Sequence, residues 1–277
     1  MTLPELIAWS TLDSKTILYL PDEPYKSVKI RPIHPHAAML LEDAGRKYII
    51  ASDLHIGLEA DLLAKGITVS SDIVSEMVAE LLDLVQSEHA DSIILLGDIK
   101  HTVSSISRQE WNIVPIFLKQ LSAKVDVYLV PGNHDGNIRH LVPTNVNMIT
   151  SKGMTLDDTL LVHGHTMPSD VRAHIKRIVM GHIHPVFLKK GSVINGERVW
   201  LYFQARKEDL FEEKGILDIM VLPTFNPYLY ATGENLYHKS ISPIIAKVMQ
   251  HGVKKCLIVR LDGSIVGDAA LLPHILQ

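Results

Sequence analysis

Five short apolar runs in the first two-thirds of the chain each lead into a turn bearing Asp, Asn or His. No other feature of the sequence restricts the fold as much. The runs are KYIIAS (47–52), DSIILLG (91–97), VDVYLVPG (125–132), TLLVHG (159–164) and RIVMG (177–181). Brief, β-branched and closed by Gly or Asp, they read as buried strands. Helical periodicity fills the gaps. SDIVSEMVAELLDLVQSEH (71–89) places Ile73, Met77, Leu81, Leu84 and Val85 on one face, with Ser71 or Asp72 as the N-cap. SRQEWNIVPIFLKQLSA (107–123) predicts a second helix that Pro115 bends or divides. Strands alternating with helices predict an α/β domain, and open sheets of that class hold ligands at the carboxyl ends of their strands.

The last third changes character. GERVWLYF, LDIMVLPTF and KKCLIVRLDGSIVGD read as strands joined by turns, with LDGS as a hairpin. KTILYLP and AAMLLED add strands near the start. Together they predict a second, more antiparallel sheet made from both ends of the chain. No repeat or low-complexity linker interrupts the sequence. The expectation is one domain over residues 1–277, with a motif core at 47–185 and terminal strands completing the second sheet. ARKEDLFEEKG (205–215) reads as a solvated loop or short helix.

With 277 residues, 47% of them hydrophobic, the chain can bury a large core. A net charge of −4 supplies no global field for nucleic acid or an anionic membrane, so a phosphate-bearing substrate must be attracted locally. The lone Cys256 cannot form an intramolecular disulfide, suits a reducing compartment, and reads as a small hydrophobe within CLIV. MTLPELIAWSTLDSK has no basic residue before Lys15 and no clean apolar stretch. ILDIMVLPTFNPYLY contains an Asp and two prolines. Neither reads as a signal peptide or a spanning helix, so a soluble cytoplasmic protein with no membrane association is expected.

The turns after the five runs carry the chemistry. They supply Asp53 and His55, then Asp98 and His101, then Asn133, His134 and Asp135, then His163 and His165, and last His182 and His184. Given 18 Asp and 15 His, roughly one D-x-H arises by chance, whereas N-H-D, H-G-H and G-H-x-H are each expected only about 0.03 to 0.05 times. All three occurring at strand ends is not an accident of composition. Imidazole and carboxylate bind borderline divalent metals, and an Asn carbonyl oxygen can complete such a shell. In D-x-H, alternate residues beyond a strand can turn the same way and reach one ion. A two-metal centre needs a bridging carboxylate between ions roughly 3.5–4 Å apart, and Asp98 is the natural bridge. Two divalent ions bring four positive charges, of which Asp53 and Asp98 cancel two. The surplus of about two suits a phosphodiester and an attacking hydroxide.

In chain order, D-x-H (Asp53, His55), G-D (Gly97, Asp98), G-N-H-D (Gly132 to Asp135), a lone His (His163) and G-H-x-H (Gly181 to His184) resemble the motif set of the calcineurin-like metallophosphoesterases. GDIKH places His101 where phosphatase branches of that family usually carry Asp, which is similar to the SbcD-related nuclease branch. GNHDGNI, VHGHT, GHIHP and the tail PTFNP (223–227) with Gly233 and Asn235 look like the small ICC-like phosphoesterases, including the ligase-associated DNA-repair type. The resemblance implies a four-layer αββα sandwich of two mixed β-sheets. It implies one metal held by Asp53, His55, Asp98 and His184, and another held by Asp98, Asn133, His163 and His182. His134 would be free of metal and would protonate the leaving oxygen or neutralise phosphoryl charge. His101 would orient or assist it, and Asp135 would brace the loop.

The function so implied is a binuclear, Mn²⁺-dependent nuclease acting on DNA or RNA, best on single-stranded substrate, with DNA-repair proteins as partners. Mn²⁺ follows from the resemblance alone; Zn²⁺, Fe²⁺ and Ni²⁺ also suit a His-rich shell. A small-molecule or cyclic-nucleotide phosphodiesterase, or a phosphatase, is the alternative use of the same centre. A non-catalytic scaffold is a third reading, against which the complete ligand set stands. Arg139, Arg172, Lys176 and Arg177 are candidates for a local basic rim, and His165 for facing substrate or, in preference, closing its loop. His34, His36, His89, His174, His238, His251 and His274 read as surface or satisfied core residues.

Overall fold

The computed structural model describes residues 28–70, 72–168, 174–229 and 242–275. KTILYLP, Ser71, Arg172, Gly233, Asn235 and His238 lie outside those residues. All five apolar runs are strands: β3 (Arg46–Ala51), β4 (Ser92–Leu96), β5 (Asp126–Val130), β8 (Thr159–Val162) and β9 (Arg177–Met180). They belong to two sheets. A six-stranded sheet has the order β1-β2-β3-β4-β5-β6, with β1 (Lys29–Pro32), β2 (Met39–Asp43) and β6 (Val146–Met148). An eight-stranded sheet has the order β14-β13-β11-β12-β9-β8-β7, with β10 (Val186–Phe187) paired to β11. Its other members are β7 (Met154–Leu156), β11 (Glu197–Arg206), β12 (Ile216–Val221), β13 (Lys255–Arg260) and β14 (Ile265–Gly267). Both sheets are mixed: β3 to β6 run parallel, as do β8, β9 and β12, while the flanking pairs are antiparallel.

Strand alternation sets the layers. Ile49, Ala51, Ile93, Leu95, Val127 and Leu129 face the helices α2 (Ile73–Glu88) and α3 (Arg108–Ser122), which bury Met77, Leu81, Phe117 and Leu121 against them. The intervening residues Ile50, Ile94, Leu96 and Val130 face the other sheet and meet Leu161, Val179, Trp200 and Met220. On the far side of the second sheet, Ile178, Leu201, Phe203 and Ile219 pack on Ile244, Ile245 and Val248 of α4 (Pro243–His251). Three apolar interfaces separate four layers, helix–sheet–sheet–helix.

Ser107 caps α3 in a reciprocal capping box with Glu110, and the helix runs unbroken through Pro115. LDGS is a hairpin turn between β13 and β14. Two expectations are corrected. AAMLLED does not join the second sheet: β2 pairs with β3, because Ala44 and Gly45 at φ 49° and 84° form the tight two-residue turn that suits adjacent antiparallel strands. ARKEDLFEEKG does hold a short helix, a single turn over Lys207–Asp209, but it is not simply solvated. Lys207 and Asp209 are buried, with Lys207 on Glu213 and Asp209 between Arg206 and His251.

Candidate metal centre

β3, β4 and β5 are parallel neighbours in one sheet, and β8 and β9 in the other, so each trio or pair ends along a single edge. Contacts such as the amide of His182 on the carboxylate of Asp53, at 3.1 and 3.2 Å, join the two edges. The first turn is short and tightly bent. Asp53 and His55 both have left-handed backbone, φ 60° and 45°, as do Asp98 (51°), His182 (73°) and His184 (40°). The side chains therefore converge by left-handed turns at alternate positions, not by the simple strand alternation expected. Such backbone in a β-carbon residue costs about 1–3 kcal/mol and persists only where its surroundings fix it.

Those surroundings are visible. Amides of Asp53 and His55 donate to the carbonyls of Gly97 (3.1 Å) and Asp98 (2.8 Å). Thr224 Oγ1 donates to the carbonyl of Asp53 at 2.8 Å and Asn226 Nδ2 to that of Leu54 at 2.9 Å, so the PTFNP segment holds the D-L-H turn from behind. The buried Asp135 accepts from the amides of Ile99 (2.9 Å), Lys100 (3.2 Å) and Gly132 (2.8 Å), tying the second turn to the third. Burial, then the nearby Asp98, pushes its carboxyl up to about 6. The glycines mark close approaches. A Cβ at Gly132 would lie 2.2 Å from Asp98 Oδ1, and one at Gly181 would lie 1.8 Å from Ser52 Oγ and 2.5 Å from Asp53 Oδ2.

Within this frame, Asp98 occupies the centre. Its Oδ1 accepts from the amide of His134 at 2.8 Å, and its Oδ2 lies 3.3 Å from His163 Nε2, 3.7 Å from His55 Nε2 and 4.0 Å from His134 Nε2. His184 Nε2 is 3.0 Å from Asp53 Oδ1 and 3.2 Å from His55 Nε2. His163 Nδ1 donates to the carbonyl of Leu96 at 2.8 Å, so its Nε2 faces inward, 3.1 Å from Asn133 Oδ1. His134 Nδ1 donates to the carbonyl of His101, which turns its Nε2 toward the cluster. His101 is itself only 6% exposed. The His165 ring lies tilted or edge-on to those of His163 and His182, at ring separations of 5.3 and 6.2 Å.

Burial pushes the basicity of His55 well down and that of His182 down to about 4. His163 goes the other way: burial lowers it, but Asp98 and Asp53 outweigh that and raise it to about 9. Asp98, though buried, is held well below the usual carboxylate range by His163, His55 and His134.

Do these residues suit a pair of divalent cations? Ligand atoms of Asp53, His55, Asp98 and His184 lie within 4.8 Å of one another, and so do those of Asp98, His163 and His182. His182 Nε2 is buried with no hydrogen-bond partner. Such an orphaned lone pair is costly unless something binds it. His163 fixes its outer nitrogen on a main-chain carbonyl, as metal-bound imidazoles do. The donor sets fit two ions sharing Asp98.

Arg177 is corrected as a rim candidate: it is buried, donating to the carbonyl of Val28 and to Thr159 Oγ1 beside Asp158. Arg139 and Lys176 are exposed. His34, His36, His251 and His274 have partners away from the cluster. A cavity of about 470 Å³ lined by Pro35, Glu197, Arg198 and Arg260 shares no donor with the centre, and Arg260 is paired there with Glu197 and Asp262. Sequence reasoning missed Glu110, whose buried carboxylate grips the turn holding His101, and Asp61, which touches the His101 ring. The S-x-x-E pattern at 107–110 signals the first; nothing in the spacing signals the second.

No curated protein matches the chain. Among solved structures, the chain is similar to the nuclease MPE of Pseudomonas putida, with 18% identity over 86% of this chain and 98% of that one and a TM-score of 0.48. It is also similar to Yfce, a phosphoesterase from E. coli, with 16% identity over 81% and 98% of the two chains and a TM-score of 0.37. A family model described as calcineurin-like phosphoesterase matches residues 46–221, well over half the chain and all five donor-bearing turns. The chain belongs to the calcineurin-like phosphoesterases, and is a metal-dependent hydrolase of phosphate esters.

Proposed function

We propose that the protein is a Mn²⁺-dependent phosphodiesterase that cuts DNA or RNA, with single-stranded polynucleotide as the preferred substrate. The observation that carries this reading is the position of Asp98 between two donor groups, with His134 anchored above it. Asp53, His55, Asp98 and His184 would hold one cation, and Asp98, Asn133, His163 and His182 the other. When bound, the ions supply Lewis-acid stabilisation of charge on phosphoryl oxygens and activation of water.

The protein's own groups do the rest. Asp98 would be shared by both donor sets and would offset part of the cations' positive charge. His134 is oriented at two points, by its amide on Asp98 and by its Nδ1 on the carbonyl of His101. Its Nε2 can then carry a proton to the departing oxygen, a step worth roughly 10²–10⁴ in rate. His101 acts through that carbonyl and through its ring against His55. His101 in GDIKH favours the nuclease branch over the phosphatases, and a cytoplasmic setting with DNA-repair partners belongs to the same reading.

The test is a screen of purified protein with Mn²⁺, Zn²⁺, Fe²⁺ and Ni²⁺ against single-stranded DNA, RNA, a chromogenic phosphodiester and a chromogenic monoester. Polynucleotide cleavage in Mn²⁺ that His134→Ala reduces by at least about 100-fold is the expected result. Polynucleotides left intact with every metal would overturn the nuclease reading, and turnover of the small diester alone would replace it with a small-molecule phosphodiesterase.

A further inference from the structure

α1 (Leu58–Ala64) begins three residues after His55 and carries Asp61 on its outer side. The Asp61 side chain is 55% exposed, so packing does not require it. Yet its Oδ2 lies 3.0 Å from Nε2 of the buried His101. An ionised carboxylate oxygen only accepts, so Nε2 of His101 carries the proton. The other nitrogen of that ring, Nδ1, is 3.4 Å from Nδ1 of His55. Two nitrogens facing each other stabilise the pair only when one donates and the other accepts. With Nε2 protonated toward Asp61, the neutral His101 ring offers a lone pair at Nδ1, and His55 donates its Nδ1–H to it. The lone pair of His55 is thereby left on Nε2, which is the nitrogen that faces Asp98 and His184.

We propose that Asp61 is a positioning residue: through His101 it selects the ring tautomer of His55 that points a lone pair at the first cation. This rests on the reading of His55 as a ligand. The opposite tautomer of His101 would set its own Nδ1–H against His55 and favour a proton on the His55 Nε2, where it competes directly with a cation. Partners of this kind, one bond removed from a metal ligand, are worth about 10- to 100-fold in affinity or activity when lost.

Long-range ¹H–¹⁵N NMR of the histidine rings, recorded on metal-free full-length protein and assigned with His101→Gln, reads the tautomers directly. Wild type is expected to show His101 protonated at Nε2 and His55 at Nδ1. Asp61→Ala should lose that preference, and Asp61→Asn, whose amide oxygen still accepts, should keep it. In Mn²⁺ titrations followed by thermal shift, Asp61→Ala should bind about tenfold more weakly than wild type, with the metal-free melting temperature lower by only a few degrees. Asp61→Asn should lie between the two. A wild-type His101 protonated at Nδ1 overturns the proposal. So does an Asp61→Ala protein with wild-type tautomers and affinity. Failure of wild type to bind any divalent cation would sink the underlying metal reading instead, and the metal-free tautomer measurement separates that outcome from failure at Asp61.

Discussion

Replacing Glu110 should loosen the turn that presents His101 and His134, and the size of the effect follows from its bonds. The fully buried carboxylate accepts from the amides of His101 (3.0 Å), Thr102 (2.7 Å) and Ser107 (2.6 Å). Hydrogen bonds to a charged group contribute about 1.5–3 kcal/mol each. Glu110→Gln keeps an oxygen for His101 and Thr102 but sets an NH₂ against the Ser107 amide, so one bond is lost, at about 1.5–3 kcal/mol. For a chain of this size that lowers the melting temperature by roughly 3–12 °C. Glu110→Ala leaves three amides unpaired and deprives the buried Lys100 of a nearby negative charge. At about 1–3 kcal/mol per orphaned amide the cost is about 3–9 kcal/mol, a large part of typical total stability. Urea unfolding of metal-free protein measures both. Activity of folded Glu110→Ala should also fall, because the freed turn carries the His101 carbonyl that orients His134. If Glu110→Ala unfolds within about 0.5 kcal/mol of wild type, the bonds described here do not hold the turn and the reasoning is wrong.

Cation binding to the native state should raise the melting temperature, by about 2.7 kcal/mol of added stability at a hundredfold excess over Kd. Asp98→Ala should abolish that rise, and an unchanged Mn²⁺ shift in this variant would exclude a shared carboxylate. Burial, then Asp268, pushes the Cys256 thiol up to about 12. At pH 8 only about one molecule in 10⁴ would carry thiolate, so iodoacetamide labelling should be some 10³-fold slower than in urea and should rise about tenfold per pH unit toward pH 12. Fast labelling of the native protein at pH 8 would contradict this.

The parallel strands were legible because their composition is extreme: β-branched runs buried on both faces have few other ways to fold. The donors were legible because Asp, Asn and His rarely cluster at strand ends by chance. What stayed hidden depends on long-range pairing or on single residues. The Ala44–Gly45 turn decides which sheet β2 joins, and a two-residue turn carries little weight beside five long motifs. Arg177 looks like any basic residue until Val28, Thr159 and Asp158 are placed around it. Asp61 is one acidic residue on a helix of seven.

The backbone of the donors extends this contrast to function. Five left-handed residues, Asp53, His55, Asp98, His182 and His184, hold conformations that β-carbon residues avoid. Asp and His tolerate this backbone better than most residues. Gly97, Thr224 and Asn226 hold the Asp53–His55 turn, Asp135 holds the amides that follow Asp98, and the Asp53 carboxylate receives the amide of His182. The cost of that backbone is met by hydrogen bonds among the protein's own groups. Thr224 and Asn226 hold the turn between the cluster's first two donors from 171 and 172 residues away. A site held in this way loses geometry before it loses fold, since a displacement of about 1 Å can cost 10²-fold in rate while removing one such bond costs only about 1 kcal/mol of stability.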